Sequence, residues 1–187
     1  IKKYVEKGGT FLLSVFSGIV NENDLVYECF PPYGLQEVFG LCVEETDVLT
    51  DEEYNPVMYK GRQYKALDYC DIVRNQDADV TAEYGDDFYK GTPVVTKHAW
   101  GKGTALYVAS RMDEEFLYEF LSDVLKEAKI KRLCDSTFVP DVMIKEREKD
   151  GVSYRFIMNF STKKRTVTID DVDYELERYE YKVVQKR

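Results

Sequence analysis

His98 is the residue best suited to acid–base chemistry, because it is the only histidine among the 187 residues. A catalytic group built from a nucleophile, a histidine and an acid would have to use it as the base. The Gly-x-Ser-x-Gly turn that presents a nucleophilic serine is absent from the sequence. His98 lies beside Trp100 in a segment that predicts a β-strand. A hydrogen-bonded structural histidine is therefore the favoured interpretation.

The second group with reactive side chains is the set of four cysteines, which are scattered without a Cys-x-x-Cys pair. This spacing predicts free thiols, buried or half-buried, in a reducing compartment, for which the cytoplasm is the default. A metal site is not predicted, because zinc sites need close cysteine or histidine pairs. Cys42 follows Gly40 but lacks the second glycine of a nucleophile turn. The four cysteines are Cys29, Cys42, Cys70 and Cys134.

Carboxylates are abundant, but their spacing does not define a site. Four aspartates fall close together without the glycine and final glutamate of an EF-hand, so they predict a solvated acidic surface. Glycoside hydrolysis needs two carboxylates at a set separation, which sequence alone cannot place. Gly101-Lys102-Gly103 predicts a turn and not a phosphate-binding loop. Hence no catalytic, cofactor-binding or metal-ligating residue is assigned, and no cofactor is expected. The four aspartates are Asp77, Asp79, Asp86 and Asp87.

The charge balance excludes two classes of partner. The chain has 26 lysine and arginine residues against 35 aspartate and glutamate residues, a net charge of −9. Nucleic-acid binding needs a basic face that displaces counterions from phosphates, and anionic membranes are disfavoured for the same reason. The apolar runs are also far shorter than the roughly 20 residues of a membrane-spanning helix. Neutral molecules and other proteins are the expected partners.

Residues 1–136 predict an α/β domain, and residues 137–187 predict a small domain of antiparallel strands. The apolar run Thr10–Phe16 predicts a central strand covered on both faces. An Asp-Gly pair at 150–151 predicts a second hairpin in the C-terminal part. The predicted elements are, in order, the end of a helix closed by Gly8, the strand Thr10–Phe16, a short helix over Tyr33–Gly40, strands over Leu41–Leu49, Gln63–Val73 and Asp79–Tyr84, a β-hairpin over Pro93–Ser110, an amphipathic helix capped by Asp113, a β-hairpin over Val142–Phe160, and strands over Thr166–Ile169 and Tyr179–Val184.

Several stretches in a set order resemble one family, the bacterial family 42 β-galactosidases. The stretches similar to the trimerisation domain of these enzymes are Tyr4–Thr10, Ser17–Val26, Gly34–Glu45, Ala78–Tyr84, Phe88–Thr96 and Trp100–Val108. Lys149–Gly151, Phe156–Ser161 and Leu176–Val184 are similar to their small C-terminal β domain. Each motif is weak alone, and their order over nearly the whole chain makes the set specific.

The resemblance implies a non-catalytic piece of a larger enzyme. Family members are retaining β-galactosidases whose acid/base and nucleophile glutamates belong to a barrel, and no part of this sequence matches it. The resemblance also implies a middle domain similar to class I glutamine amidotransferases (flavodoxin-like), a sheet flanked by helices, here without its first strand and most of its first helix. We therefore expect a C-terminal fragment, inactive alone, whose partners are the parent barrel and, in the full-length protein, two further copies in a trimer.

Three alternatives stay open. The first is a stand-alone carbohydrate-binding module that stacks sugars on surface aromatics, although packing in the core is the favoured role of these rings. The second is an amidotransferase-like enzyme that uses Cys42 and His98. The third is a structural protein without a hydrolase parent. The aromatic residues in question are Tyr59, Tyr64, Tyr69, Tyr84, Phe88, Tyr89 and Trp100.

Overall fold

The structure is a computed structural model that describes residues 1–185. Its β-strands contain far more residues than its helices do. The elements are α1 (Lys2–Glu6), β1 (Thr10–Ser14), α2 (Gln36–Phe39), β2 (Leu41–Val48), β3 (Asn55–Tyr59), β4 (Arg62–Asn75), β5 (Asp79–Glu83), β6 (Pro93–Trp100), β7 (Gly103–Val108), β8 (Ser110–Met112), α3 (Glu114–Glu127), β9 (Val142–Lys149), β10 (Val152–Asn159), β11 (Arg165–Ile169), β12 (Val172–Leu176) and β13 (Tyr181–Gln185).

The chain divides into two compact units, unit 1 over Ile1–Leu117 and unit 2 from Tyr118 onward. The division falls within α3. The predicted boundary between residues 136 and 137 stays a prediction.

Unit 1 contains two four-stranded sheets. The first has the strand order β1-β7-β6-β5, and only β1 and β7 run parallel in it. In the second, β2, β4 and β3 are neighbours and β8 also pairs with β4. Its longest strand, β4, therefore has partners along most of its fourteen residues. The predicted hairpin is present, because β6 and β7 pair antiparallel through a turn in which Gly101 has φ +60°.

Two expectations for unit 1 need correction. Strand β1 lies at the edge of its sheet and its residues are only half-buried, so the predicted central strand covered on both faces was wrong. An apolar run does not by itself distinguish a central strand from a half-covered one. The flanking helices are minimal, since α1 has five residues and α2 has four. Helix α2 ends early because Gly40 takes the left-handed conformation (φ +65°) that closes a helix.

Unit 2 contains two small antiparallel sheets. One has the order β13-β10-β9 and the other is the pair β11-β12. The predicted Asp150-Gly151 hairpin joins β9 to β10, and both turn residues have positive φ. Buried apolar side chains fill the unit's core, and half-buried ones pack around it. The fully buried members are Ile157, Val167, Ile169 and Leu176.

Candidate assembly surface

His98 lies on β6, and both of its ring nitrogens have partners. Nδ1 is 2.8 Å from the carbonyl oxygen of Val38, and Nε2 is 3.3 Å from Oδ1 of Asp77. The side chain is only 12% exposed. A general base needs a ring nitrogen directed at the proton it removes. With both nitrogens engaged, the ring holds α2 against β6 and is not placed to activate a thiol or hydroxyl.

The four cysteines are free thiols, and they differ in how deeply they are buried. Cys42 and Cys70 are buried, Cys134 is half-buried, and Cys29 is exposed, so the prediction of buried or half-buried thiols was wrong for Cys29. Burial raises the pKa of the Cys70 thiol. Its Sγ lies 3.6 Å from Oγ of Ser110. Because the thiolate is the nucleophile, this thiol is a poor one.

The aspartates that suggested a cation site have other roles in the structure. Asp77 contacts His98, while the carboxylates of Asp86 and Asp87 accept hydrogen bonds from the next backbone N–H along the chain, at 2.8 and 2.6 Å. Within residues 1–185, no group of three or more histidine, cysteine, aspartate or glutamate side chains is arranged to hold a metal ion.

Most of the aromatic residues considered as a sugar platform belong to the core. Tyr59, Tyr64, Tyr84 and Tyr89 are buried. The two large exposed rings of that set are Phe88 and Tyr69, which pack edge-on against Tyr89 and Phe16. The favoured packing interpretation therefore holds for the four buried tyrosines.

The most exposed apolar feature of unit 1 is a segment that we name the aromatic loop, residues 16–33. Six of its large apolar side chains are between 44% and 70% exposed. Elsewhere in unit 1 such side chains are spread over a much longer stretch of chain. Large exposed apolar patches mark binding sites on soluble proteins. The six are Phe16, Val20, Leu25, Val26, Phe30 and Tyr33.

The aromatic loop is ordered by bonds within itself. Val20 and Val26 form an antiparallel bridge, and Oδ1 of Asn21 accepts hydrogen bonds from the N–H groups of Asn23 and Leu25, at 2.9 and 3.1 Å. The rings of Tyr27 and Tyr33 stack with centroids 3.7 Å apart. The tight turn at Gly18 has φ +69°, and its carbonyl accepts from the N–H of Tyr33 at 3.0 Å.

Contacts with β2 and β4 fix the loop to the rest of unit 1. The Phe16 ring packs edge-on against Tyr69 at 4.7 Å between centroids. The Arg74 guanidinium lies 5.4 Å from the centre of the Phe30 ring and also pairs with Glu44 at 2.8 Å. The carbonyl of Pro31 accepts from the N–H of Val43 at 2.8 Å. Such a surface can bind a partner by apolar contact.

The family assignment follows from sequence comparison. The sequence profile described as the β-galactosidase trimerisation domain matches residues 1–131, and that described as the β-galactosidase C-terminal domain matches residues 141–186. The chain belongs to the family 42 β-galactosidases. The aromatic loop thus lies inside the part of the chain that matches the trimerisation domain.

Alignments with similar proteins include almost all of this chain but less than a third of the length of each relative. Beta-galactosidase BgaA of a Planococcus species is 42% identical over 93% of this chain, which spans 26% of that relative. The solved β-galactosidase of a Rahnella species is 32% identical, with a TM-score of 0.84 over 99% of this chain and 29% of that chain. That of Bacillus circulans is 32% identical, with a TM-score of 0.80 over 100% and 30%.

The part of the chain that matches the β-galactosidase C-terminal domain has an exposed apolar surface too. On the outer face of the sheet, Met158 of β10 is paired with Tyr181 of β13 and Met143 of β9. Tyr181 is 68% exposed, and its neighbour Val183 is 46% exposed. This face of unit 2 is separate in sequence from the aromatic loop. Among residues 1–185, no helix is long and apolar enough to cross a membrane.

Sequence reasoning did not identify the aromatic loop as a surface. It placed no helix or strand between Phe16 and Tyr33, which is correct in outline, and Gly18 and Asn21 are turn residues. A signal was nevertheless present in Leu25-Val26 and Phe30, apolar residues inside a connection without strand or helix periodicity. Connections are usually polar at their exposed positions, so apolar residues there indicate a covered or binding surface.

Proposed function

We propose that this chain is the non-catalytic assembly portion of a β-galactosidase that hydrolyses terminal β-D-galactosides with retention. The hydrolysis takes place in a barrel domain outside this sequence, where two carboxylates serve as acid/base and nucleophile. The observation that carries the proposal is the asymmetry of coverage. The match to BgaA takes in 93% of this chain and only 26% of that enzyme.

The side chains of unit 1 support a scaffold role. The one histidine is held by Val38 and Asp77, and burial raises the pKa of the Cys70 thiol. These are the properties of structural groups, because a catalytic base or nucleophile needs a free nitrogen or an accessible thiolate. What the chain does offer is ordered apolar surface, which serves binding.

The proposal includes partners, architecture and location. The partners are the parent barrel and two further copies of the full-length protein, which together make a trimer. Unit 1 would be a reduced form of the class I amidotransferase-like (flavodoxin-like) domain, and the parallel pair β1–β7 is the part of the sheet that supports this. We also propose that the domain boundary lies between residues 136 and 137 and that the protein works in the cytoplasm.

The test is to assay a chromogenic β-galactoside with this chain and with the protein extended by the coding sequence upstream of Ile1. We expect no turnover by the chain alone and hydrolysis by the extended protein. Measurable turnover by the chain, or an upstream sequence without a barrel and its two glutamates, would contradict the proposal. Calorimetric titration with galactose and lactose tests the carbohydrate-binding alternative, and saturable binding by the chain alone would favour it.

A further inference from the structure

We propose that the outer face of the sheet β13-β10-β9 in unit 2 binds an acidic polysaccharide, whose sugar rings stack on aromatic side chains and whose carboxylates pair with lysine and arginine. The choice of a carbohydrate as the partner rests on the proposed function, and the inference adds a binding surface to it. The strand positions that form the outer face are Met143, Lys145, Arg147 and Lys149 of β9, Val152, Tyr154, Phe156 and Met158 of β10, and Tyr181, Val183 and Gln185 of β13.

The outer face is one continuous surface, because the strand register places its side chains next to one another. Alternate side chains of a strand point to the same side of a sheet. Ile144, Ile157 and Val184, which point the other way, lie in or against the core of unit 2, so the outer face is the side turned away from that core. Side chains directly opposite each other on paired strands have Cβ atoms about 5 Å apart. The rows across the three strands are Met143–Met158–Tyr181, Lys145–Phe156–Val183 and Arg147–Tyr154–Gln185.

The apolar part of the outer face is exposed and includes three aromatic rings. Tyr181 is 68% exposed and Val183 46%, while Tyr154 is 36% exposed and Phe156 is half-buried. Aromatic rings present flat, apolar faces, and one side of a pyranose ring, which carries mainly C–H groups, is flat and apolar too. Side chains already fixed on a sheet lose little entropy when they bind. This part of the surface therefore suits the stacking of successive sugars.

The charged side chains of the outer face are all positive. Lys145, Arg147 and Lys149 follow one another along β9, with successive Cα atoms about 7 Å apart, and none of the outer-face positions is an aspartate or glutamate. Within residues 1–185, none of the three cations forms an ion pair with a carboxylate of the chain. The Arg147 guanidinium donates to the backbone carbonyl of Glu146 at 2.8 Å, which uses one of its five N–H donors.

The charge of the whole chain hides the basic character of the outer face. Residues 1–117 contain 11 basic and 21 acidic side chains, whereas residues 118–187 contain 15 and 14, so the acidic excess lies in unit 1. Lysines on an edge strand such as β9 also prevent pairing with other chains, but that role does not require exposed apolar side chains on the neighbouring strands. Cations beside an apolar surface are complementary to a ligand that joins carboxylates to an apolar frame.

A polysaccharide of uronic acids fits both parts of this surface. Each of its units has a C–H face that can stack and a carboxylate, which the Arg147 guanidinium can bind with two parallel N–H groups. An acidic peptide would instead add at a free strand edge, where its backbone groups find hydrogen-bond partners. The middle of the outer face offers no such edge, because β10 is paired on both sides. Since the proposed function is the hydrolysis of terminal β-galactosides, this surface would hold an acidic polysaccharide that carries them.

The first experiment titrates the chain by calorimetry with three hexamers, one of galacturonate, one of β-1,4-linked galactose and one of glutamate. Saturable binding is expected for the galacturonate hexamer. The galactose hexamer lacks carboxylates and the glutamate hexamer lacks sugar rings, so each should bind about tenfold more weakly or worse. Raising the salt concentration from about 0.1 M to about 1 M should weaken the binding of galacturonate, because salt screens exposed charges.

The same titrations can overturn the inference without any substitution. Absence of galacturonate binding would do so, and so would binding that does not respond to salt. Equal binding of the galactose hexamer would show that the cations are not used. Equal binding of the glutamate hexamer would indicate an acidic peptide as the partner and would also contradict the proposal.

The second experiment locates the site by substitution, with the circular dichroism spectrum as the check on folding. Reversing two charges with Lys145→Glu, Arg147→Glu should raise the Kd for the galacturonate hexamer by about tenfold or more, and Tyr181→Ala should raise it by about fivefold or more. The matched controls are Lys163→Glu, an exposed cation of unit 2 between β10 and β11, and Phe88→Ala, a ring 72% exposed in unit 1. Both controls should bind like the wild type.

Wild-type affinity in both outer-face variants would contradict the assigned site. The turnover assay that tests the proposed function uses a small chromogenic galactoside, which does not need this surface. Loss of one result therefore leaves the other standing, and the two proposals can fail separately.

Discussion

Asp71 is a carboxylate buried inside unit 1, where it is 2% exposed and accepts hydrogen bonds from two hydroxyl groups. The hydroxyl of Tyr107 donates to it at 2.5 Å and that of Thr46 at 2.6 Å. Burial raises the pKa of Asp71, and the two hydrogen bonds oppose the rise. The structure thus favours the protonated acid more than the unfolded chain does. The side chain joins β4, β2 and β7 whichever proton state it has.

This burial makes the stability of unit 1 depend on pH. Because the pKa of Asp71 is raised in the folded state, its contribution to stability is fully present below the pKa of an unfolded aspartate, about 3.9. This contribution is lost as the pH rises through the pKa of the folded state. The slope is at most about 1.4 kcal/mol per pH unit. In denaturant titrations from pH 4 to 7, the free energy of unfolding of Asp71→Asn should therefore rise relative to that of the wild type as pH rises. A constant difference between the two proteins would contradict the expected ionisation.

Asn159 has the corresponding role in unit 2. Its side chain is 3% exposed, Nδ2 donates to the carbonyls of Lys163 and Glu177 at 2.8 Å each, and Oδ1 accepts from the N–H of Ser161 at 2.9 Å. Asn159→Ala leaves these buried groups unpaired, so the free energy of unfolding should fall by about 1–3 kcal/mol. The exposed neighbour Thr162 offers the control Thr162→Ala, which should change it by less than about 0.5 kcal/mol.

At the scale of the elements, the start of helix α3 depends on a single residue, Asp113. Oδ1 of Asp113 accepts from the N–H of Phe116 at 2.8 Å and caps the helix, while Oδ2 accepts from the N–H of Lys65 on β4 at 2.6 Å. Asp113→Ala should destabilise the protein by about 0.5–2 kcal/mol in thermal or denaturant unfolding. Asp113→Asn keeps one acceptor oxygen and should lose less. Equal losses for the two variants would mean that the cap contributes little.

The elements that the sequence predicted well are those determined by residues close together in the chain. The hairpins at Gly101 and Asp150-Gly151 and the helix after Asp113 follow from turn and cap residues, and the structure confirms them. Strands β3 and β12 were missed. β3 begins within a polar, acidic stretch, whereas β12 alternates apolar with acidic residues, a strand signal that was overlooked. Both owe their form to pairing with β4 and β11, and a partner strand cannot be deduced from propensity.

The residues of the candidate surface were predictable to a smaller extent. The sequence left His98 as the one histidine that a triad could use, but it could not show that both ring nitrogens of His98 have partners. It could not predict the exposure of Phe16 or Phe30 either. Exposure depends on what packs against a side chain, and in this chain that is settled by contacts with Tyr69 and Arg74, distant in sequence.

For the whole molecule, the net charge of −9 opposes association of identical copies. In the proposed trimer, apolar burial has to drive assembly, and like-charge repulsion limits it. Raising the salt concentration shortens the screening length, from about 10 Å at 0.1 M to about 3 Å at 1 M. Association measured by sedimentation should then strengthen with salt. Weakening with salt would instead indicate an interface held by ion pairs.

The buried amide of Asn159 bears on the host in which the protein can be made. Asn159-Phe160-Ser161 is an acceptor tripeptide for N-linked glycans. In a eukaryotic secretory pathway, sugar would be attached to Nδ2 as the chain emerges, before unit 2 folds. The glycan would replace an N–H that donates to Lys163 or Glu177 and would need room that a 3% exposed side chain does not have. The fraction of secreted chains that misfold would therefore follow the fraction that carries sugar. Ser161→Ala would prevent the modification but would also remove the hydroxyl that accepts a hydrogen bond from the N–H of Lys163 at 3.0 Å.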